Sequence, residues 1–255
     1  MMTSITITAL PGFPLVEPGD NLAQQIHQAL IRAEFFLEDG DVLVLAQKIV
    51  SKAENRYGYL NTVKPSPEAI ALAGEIDKDP ALVELILSES NEVVRKRTGV
   101  VVVEHRLGYV HANAGIDKSN IESDPNNPRV LLLPLDSDKS AAQLRQAIKQ
   151  LTGVDVYIII NDSAGRAWRN GTIGMAIGTA GFEPLLNKIG DEDLFNKKLE
   201  VTEIAVADEL AAAASFVMGQ GDEAVPVVLV RGAQLKPADV GSASLIREKS
   251  KDLFR

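Results

Sequence analysis

The sequence predicts a mixed α+β protein, on three observations. Apolar, β-branched runs of strand length recur throughout the 255 residues. Segments with apolar residues at helical spacing lie between some of them. The two kinds of segment alternate only in part, with no uniform βαβ rhythm and no internal repeat, which argues against a doubly wound sheet.

Residues 5–9 read as a short strand. Pro11-Gly12-Phe13-Pro14 and Pro18-Gly19-Asp20 follow, and their prolines and glycines prevent regular structure, leaving a loop. From Asn21 the apolar positions Leu22, Ile26, Ala29, Leu30, Ala33 and Leu37 recur at helical spacing, with Asp20 or Asn21 as the cap. Asp39-Gly40 then turns the chain into residues 41–46, a nearly continuous apolar run that predicts a strand buried on both faces. Gln47, Lys48 and Lys52 come directly after it. Residues 66–76 and 80–97 read as two helices packed as a pair, the second opened by Pro80 in its first turn.

Four strands are predicted over residues 100–103, 109–112, 130–133 and 156–160, with a helix over 141–151 between the last two. The stretch from Gly171 to Gly181 carries glycine at 171, 174, 178 and 181 inside apolar sequence, and close backbone approach is its natural reading. A strand over 199–204 leads into an alanine-rich helix over 205–218, which Gly219 and Gly221 end. Residues 225–230 form a further strand, and the tail, 242–254, is expected to be helical.

Hydrophobic residues make up 45% of the chain, enough for a substantial core. Thirty-five acidic residues against 26 basic ones give a net charge of −9, which repels phosphate backbones and excludes a nucleic-acid footprint. With no cysteine, disulfides, thiolate metal sites and a cysteine nucleophile are excluded, leaving oxygen and imidazole ligands for any metal. The start of the chain lacks the basic and apolar regions of a signal peptide, and no apolar run approaches the length of a membrane span. A cytoplasmic protein is expected.

Neither the Gly-x-x-x-x-Gly-Lys-Ser/Thr nor the Gly-x-Gly-x-x-Gly fingerprint occurs. Three loops could still carry chemistry. In the first, 111–120, Asp117 suits a hard cation and Asn120 a nucleotide contact, although both types also fill ordinary turns. In the second, Asp162 and Ser163 offer a carboxylate and a hydroxyl for magnesium or manganese. Arg166 and Arg169 beyond them match phosphate or carboxylate, or else form surface ion pairs. Trp168 between them reads more readily as a buried anchor than as a stacking platform. The third loop, Met218-Gly219-Gln220-Gly221-Asp222-Glu223-Ala224-Val225, offers backbone amides to phosphate, but a plain helix stop has the same glycines. His27, His105 and His111 show no zinc spacing and are assigned structural positions.

Taken in order, Gly12-Phe13-Pro14-Leu15, Asp39-Gly40-Asp41-Val42-Leu43-Val44, Val50-Ser51-Lys52-Ala53-Glu54, Asn113-Ala114-Gly115-Ile116-Asp117 and Asp162-Ser163-Ala164-Gly165-Arg166 resemble the pattern of the coenzyme F420-0:L-glutamate ligase family. The similarity continues through Arg169-Asn170-Gly171, Val206-Ala207-Asp208-Glu209 and Val230-Arg231-Gly232, so it spans nearly the whole chain. It implies a GTP-consuming amide ligase that attaches L-glutamate to the coenzyme F420 precursor F420-0. GTP is the co-substrate, and Mg2+ or Mn2+, together with K+, are the implied ions. The resemblance places a divalent cation on Asp117, Asp162, Ser163 and Gln220. It assigns nucleotide contacts to Pro11, Gly12, Phe13, Pro14, Gln47, Lys48, Lys52 and Asn120, with 218–225 closing over the phosphates. Asp117, Asp162 and Lys52 are the implied catalytic groups.

The implied architecture is a two-domain α+β homodimer in stand-alone form, residues 1–90 plus 198–255 enclosing a central 91–197. Against the archaeal pattern, Gln47-Lys48 replaces a Ser-Thr pair, Ser163 replaces threonine and Gln220 replaces glutamate. The last change removes one negative charge from the implied metal site. A related ligase with another carboxylate or amine, and a non-catalytic nucleotide-binding regulator, are the competing readings.

Overall fold

The computed structural model describes residues 4–254. In chain order it comprises β1 (Thr6–Ala9), α1 (Leu22–Arg32), β2 (Val42–Ala46), α2 (Gln47–Ala53), β3 (Tyr57–Tyr59), α3 (Pro67–Ile76), α4 (Pro80–Ser88), β4 (Ser90–Arg97), β5 (Val100–His105) and β6 (Val110–Ala112). There follow β7 (Arg129–Leu131), α5 (Ser137–Thr152), β8 (Tyr157–Arg166), β9 (Arg169–Ala180), β10 (Leu186–Asn187), β11 (Glu203–Ile204), α6 (Val206–Met218) and β12 (Val227–Arg231). The mixed α/β architecture expected from the sequence is observed, built on several separate sheets.

The main sheet has the order β1-β12-β2-β8-β9, in which only β2 and β8 are parallel. Strict alternation sorts its side chains between two cores. Leu43, Leu45, Ile158, Ile160, Val227 and Leu229 face α1 and α5. Val42, Val44, Ile159, Val228 and Val230 face α6. The run 42–45 is therefore apolar throughout because both of its faces are covered, and each fully buried aliphatic side chain contributes about 1.5–3 kcal/mol. A third core lies under α3, α4, β5 and β7.

Side-chain caps set the helix starts, Asn21 where a cap was expected and Asp136 ahead of α5, which begins at Ser137 rather than at the expected 141. Asn21 accepts from the Gln24 amide, Ser66 from Ala69, Asp79 from Ala81 and Leu82, and Asp136 from Lys139. The glycines of β9 do permit close approach: a Cβ at Gly174 would lie 2.3 Å from the Ala211 carbonyl oxygen, and one at Gly178 would lie 2.5 Å from that of Ser137. They let α6 and the start of α5 ride directly on the sheet.

Four expectations require correction. The first helix stops at Arg32 rather than Leu37, because Glu34 takes a left-handed φ of 56°; Phe35 and Leu37 still pack on the core without helical backbone. The helix expected over 80–97 ends at Ser88, and Ser90–Arg97 is instead a strand paired with β5. There Val93-Val94 favours extended backbone, Gly99 makes the turn, and Glu89 anchors the boundary. Its buried carboxylate accepts from Arg56 and Arg106 at 2.9 Å. Burial opposes the Glu89 charge, but His105, Arg106 and Arg56 outweigh it and pull the carboxyl down to about 2. In the tail, the expected helix over 242–254 is two short 3-10 turns, Ser242–Leu245 and Lys249–Lys251. The Ser242 amide is committed to the Asp138 carboxylate and Lys249 to Glu104. The strand expected over 199–204 shrinks to its last two residues.

Candidate functional site

Parallel β2 ends at Ala46, in register with Asn161 of β8, which continues to Arg166 against β9 alone. The carboxyl ends of parallel strands in an α/β sheet are where ligand crevices form. A cavity of about 570 Å3 opens there, within the range of small-molecule sites. Five segments supply its walls: the loop at Phe13 and Pro14, the junction of β2 with α2, residues 120–122, the middle of β8 and the end of α6 with the loop after it.

From α2 come Gln47, Lys48 and Lys52. The helix begins with no intervening turn after β2, which aims all three side chains at the strand end. Lys52 Nζ donates to the Asn120 carbonyl at 2.9 Å. Burial lowers the Lys52 pKa from its ordinary value; Glu17 opposes this, while Lys48 and Arg129 add to it. In a chain of net charge −9, this wall gathers cations and suits an anion.

From β8 come Asp162 and Ser163, just past a register slip between Ile160 and Asn161. Slips of this kind re-aim side chains next to active sites. Ser163 Oγ donates to Gln220 Oε1 at 2.7 Å, and the Gln220 amide donates to Ser215 at 3.0 Å. Gln220 is thereby tied to β8 through one end and to α6 through the other.

The loop after α6 is shaped by left-handed residues, Gly219 with φ +75° and Ala224 with φ +54°. Gly219 combines φ +75° with ψ −178°, backbone that glycine alone adopts readily. The Glu223 carboxylate folds back onto the loop amides, accepting from Gly221 at 2.7 Å. Amides of residues 223, 221 and 220, in that order of effect, hold its pKa below the usual carboxylate value. They form a concave set of donors suited to an anion. Asn120 closes the rim by donating to the Gly221 carbonyl at 3.0 Å.

Asp117 is carried on a different element. Behind β6, Asn113, Ala114 and Gly115 all take positive φ, at 51°, 54° and 67°, and the buried Ala114 is costly in that region. The turn delivers Asp117 to an antiparallel bridge with Leu131. The Asp117 carboxylate meets Lys48 Nζ at 2.9 Å and accepts from Gln47 at 3.3 Å and Ser119 at 3.3 Å. It stands behind Lys48 rather than in the cavity wall itself. Pro11 and Gly12 likewise lie outside the wall, whereas Phe13, Pro14 and 218–225 are in it.

One residue given only a structural position by the sequence lies within the site. His111, on β6, places Nε2 3.1 Å from Asp162 Oδ2 and Nδ1 3.1 Å from the Ala112 carbonyl. A carbonyl only accepts, so Nδ1 is the donor there. Burial works against a charged ring, but the contact and charge of Asp162, the Ala112 carbonyl and the charge of Asp117 together raise its pKa. The sequence carries no period or motif that marks this histidine. By contrast, Arg166, Trp168 and Arg169 stand at the tip of the β8–β9 hairpin, away from the cavity walls. Trp168 is 88% exposed with φ 63°, which corrects the expectation of a buried anchor. The turn geometry directs its ring outward onto Phe254.

Among the described residues no three His, Cys, Asp or Glu side chains gather as a ready-made metal cage. The oxygen donors at hand are Asp162, Ser163 and Gln220, with Asp117 behind Lys48. Magnesium is commonly held this way, by one or two carboxylates plus substrate phosphates, so the donor set fits a hard divalent ion that arrives with a phosphorylated ligand.

The cation-lined, amide-rimmed cavity beside the strand ends of this mixed sheet is a site whose chemistry suits a small anionic ligand. Comparison with known proteins gives the class as a ligase. A model of the F420-0:Gamma-glutamyl ligase family matches residues 12–232. The coenzyme F420:L-glutamate ligase of Methanothermobacter thermautotrophicus is 45% identical over 254 residues, covering 98% of this chain and 99% of the relative. That of Methanopyrus kandleri is 42% identical over 260 residues, covering 100% and 99%. That of Archaeoglobus fulgidus is 41% identical over 252 residues, covering 98% and 96%. The chain belongs to the F420-0:gamma-glutamyl ligase family. Among its described residues no helix is long and apolar enough to cross a membrane.

Proposed function

We propose that the chain joins L-glutamate to F420-0 by an amide bond, consuming GTP and releasing GDP and phosphate. The observation that carries this reading is the facing of Lys48 and Lys52 against the amide-rimmed loop 218–225, with Asp162 and Ser163 at the same cavity. Cations on one side and backbone donors on the other suit a triphosphate. The relatives that match over nearly their whole length are named for the same ligation.

A carboxylate in water does not acylate an amine, because its oxygen is a poor leaving group. In the proposed course a carboxylate oxygen of F420-0 attacks the γ-phosphorus and the bond to the GDP oxygen breaks. The resulting acyl phosphate is then attacked at carbon by the glutamate amine, which loses a proton as phosphate leaves. Gln47, Lys48 and Asn120 orient the nucleotide beside Phe13 and Pro14, and Lys52 offsets charge on the transferring group. Asp162, Ser163 and Gln220, with Asp117 released from Lys48, would hold Mg2+ or Mn2+, which supplies charge neutralisation on the phosphates. The Glu223 carboxylate accepts from the loop amides, and in the proposed complex phosphate takes its place.

The homodimer belongs to the same proposal, supported by the exposure of Leu194, Phe195 and Phe216 at 97%, 87% and 88%. So do the cytoplasmic location and the division into an outer unit, 1–90 plus 198–255, and a central 91–197. Incubation with F420-0, glutamate, GTP and Mn2+, followed by mass spectrometry, is expected to show F420-0 enlarged by one glutamyl residue, with GDP and phosphate formed. Omission of Mn2+ or of GTP should abolish the product. GTP bound without any enlarged product would favour a non-catalytic regulator.

A further inference from the structure

We infer that His111 is the positioning residue for Asp162, and that it joins the two carboxylate-bearing segments of the site into one unit. The inference rests on the proposed metal role of Asp162. His111 lies on β6, in the three-stranded sheet, whereas Asp162 lies on β8, in the five-stranded one. Their contact at 3.1 Å crosses between the sheets, and both side chains are nine-tenths buried.

Asp117 lies six residues beyond His111 in the chain, past the left-handed turn at 113–115. Whatever fixes the end of β6 against β8 therefore fixes the distance between the carboxylates at 117 and 162. Within the ring, Nδ1 is tied to the Ala112 carbonyl, which sets the ring plane and leaves Nε2 directed at Asp162. That nitrogen is buried with no aligned hydrogen bond, although Asp162 Oδ2 is within reach. A buried polar atom left in this state is costly. It is satisfied when it carries a proton that the Asp162 carboxylate, an acceptor only, takes up after a small rotation, and contacts of this kind often tighten only in the complex. Partners that orient a metal-binding carboxylate typically alter metal affinity by about 10–100-fold when removed.

The two amide substitutions separate the nitrogens. Glutamine places its amide nitrogen near the position of Nε2, and asparagine near that of Nδ1. His111→Gln keeps a donor for Asp162, while His111→Asn keeps only the Ala112 side. Binding of Mn2+ alone, followed by the loss of the free-ion electron paramagnetic resonance signal, is expected to be within about threefold of native for His111→Gln. For His111→Asn it should be weaker by about tenfold or more. Thermal midpoints measured alongside record any purely structural effect, which would lower both midpoints and leave the two Mn2+ affinities alike. Equal Mn2+ affinities in the two variants, weak or strong, overturn the inference while leaving the metal reading intact. Native protein that takes up no Mn2+ overturns both.

Discussion

Asp162→Asn is expected to reduce GTP-dependent ligation at saturating substrates by about a hundredfold to a thousandfold, the usual cost of removing one preorganised electrostatic contact. The substitution is nearly isosteric, so the packing at the end of β8 is retained. What it removes is a negative charge in the cavity wall, next to Ser163 and in contact with His111. Gln220 is neutral, Asp117 is engaged by Lys48 and Glu223 by the loop amides, so in the observed geometry none of these three replaces the lost charge. The thermal midpoint should stay within a few degrees of native, because no core contact is lost. Near-native turnover in the variant would contradict the assignment of Asp162.

Lys52→Ala is expected to lower kcat/KM for GTP by about a hundredfold while leaving the KM for glutamate unchanged. The ammonium group is partly desolvated and lies near Lys48 and Arg129, so its positive field in the free protein is only partly answered. Its hydrogen bond to the Asn120 carbonyl also holds the rim that Asn120 closes against Gly221. Loss of the side chain removes a phosphate partner and slackens that rim, and both effects fall on the nucleotide. A GTP titration superimposable on that of native protein would count against this role.

The legible parts of the fold were those in which local and tertiary preferences agree. The run at 42–45 was readable because burial on both faces leaves no polar position, and Asn21 was readable as a cap and Pro80 as a first-turn residue because both are local preferences. Ser90–Arg97 was not readable as a strand: its pairing with β5 and the Arg56–Glu89–Arg106 cluster that fixes its start come from distant segments. α2 was missed because it follows β2 with no turn residue between them.

At the site, the residue types were legible but their arrangement was not. Asp162, Ser163 and the 218–225 loop were marked by their chemistry and Lys52 by the family resemblance alone; the structure gathers them at one cavity, with Asp162 and Ser163 inside β8 rather than on the expected loop. Asp117 was marked in the same way, yet stands behind Lys48. His111 carried no local signal, since its role depends on a strand in another sheet. Trp168 was misread because a large aromatic usually buries itself, whereas here it occupies a left-handed position at a hairpin tip.

The most direct measurement is the electron density of crystals grown with Mn2+ and a GTP analogue that cannot transfer its γ-phosphoryl group. Density for one cation about 2 Å from carboxylate oxygens of both Asp117 and Asp162, and touching the triphosphate, is the predicted result, with Lys48 moved from Asp117 to phosphate. A nucleotide bound away from this cavity, or a cation that leaves Asp117 on Lys48 and Asp162 without a metal contact, would contradict the account.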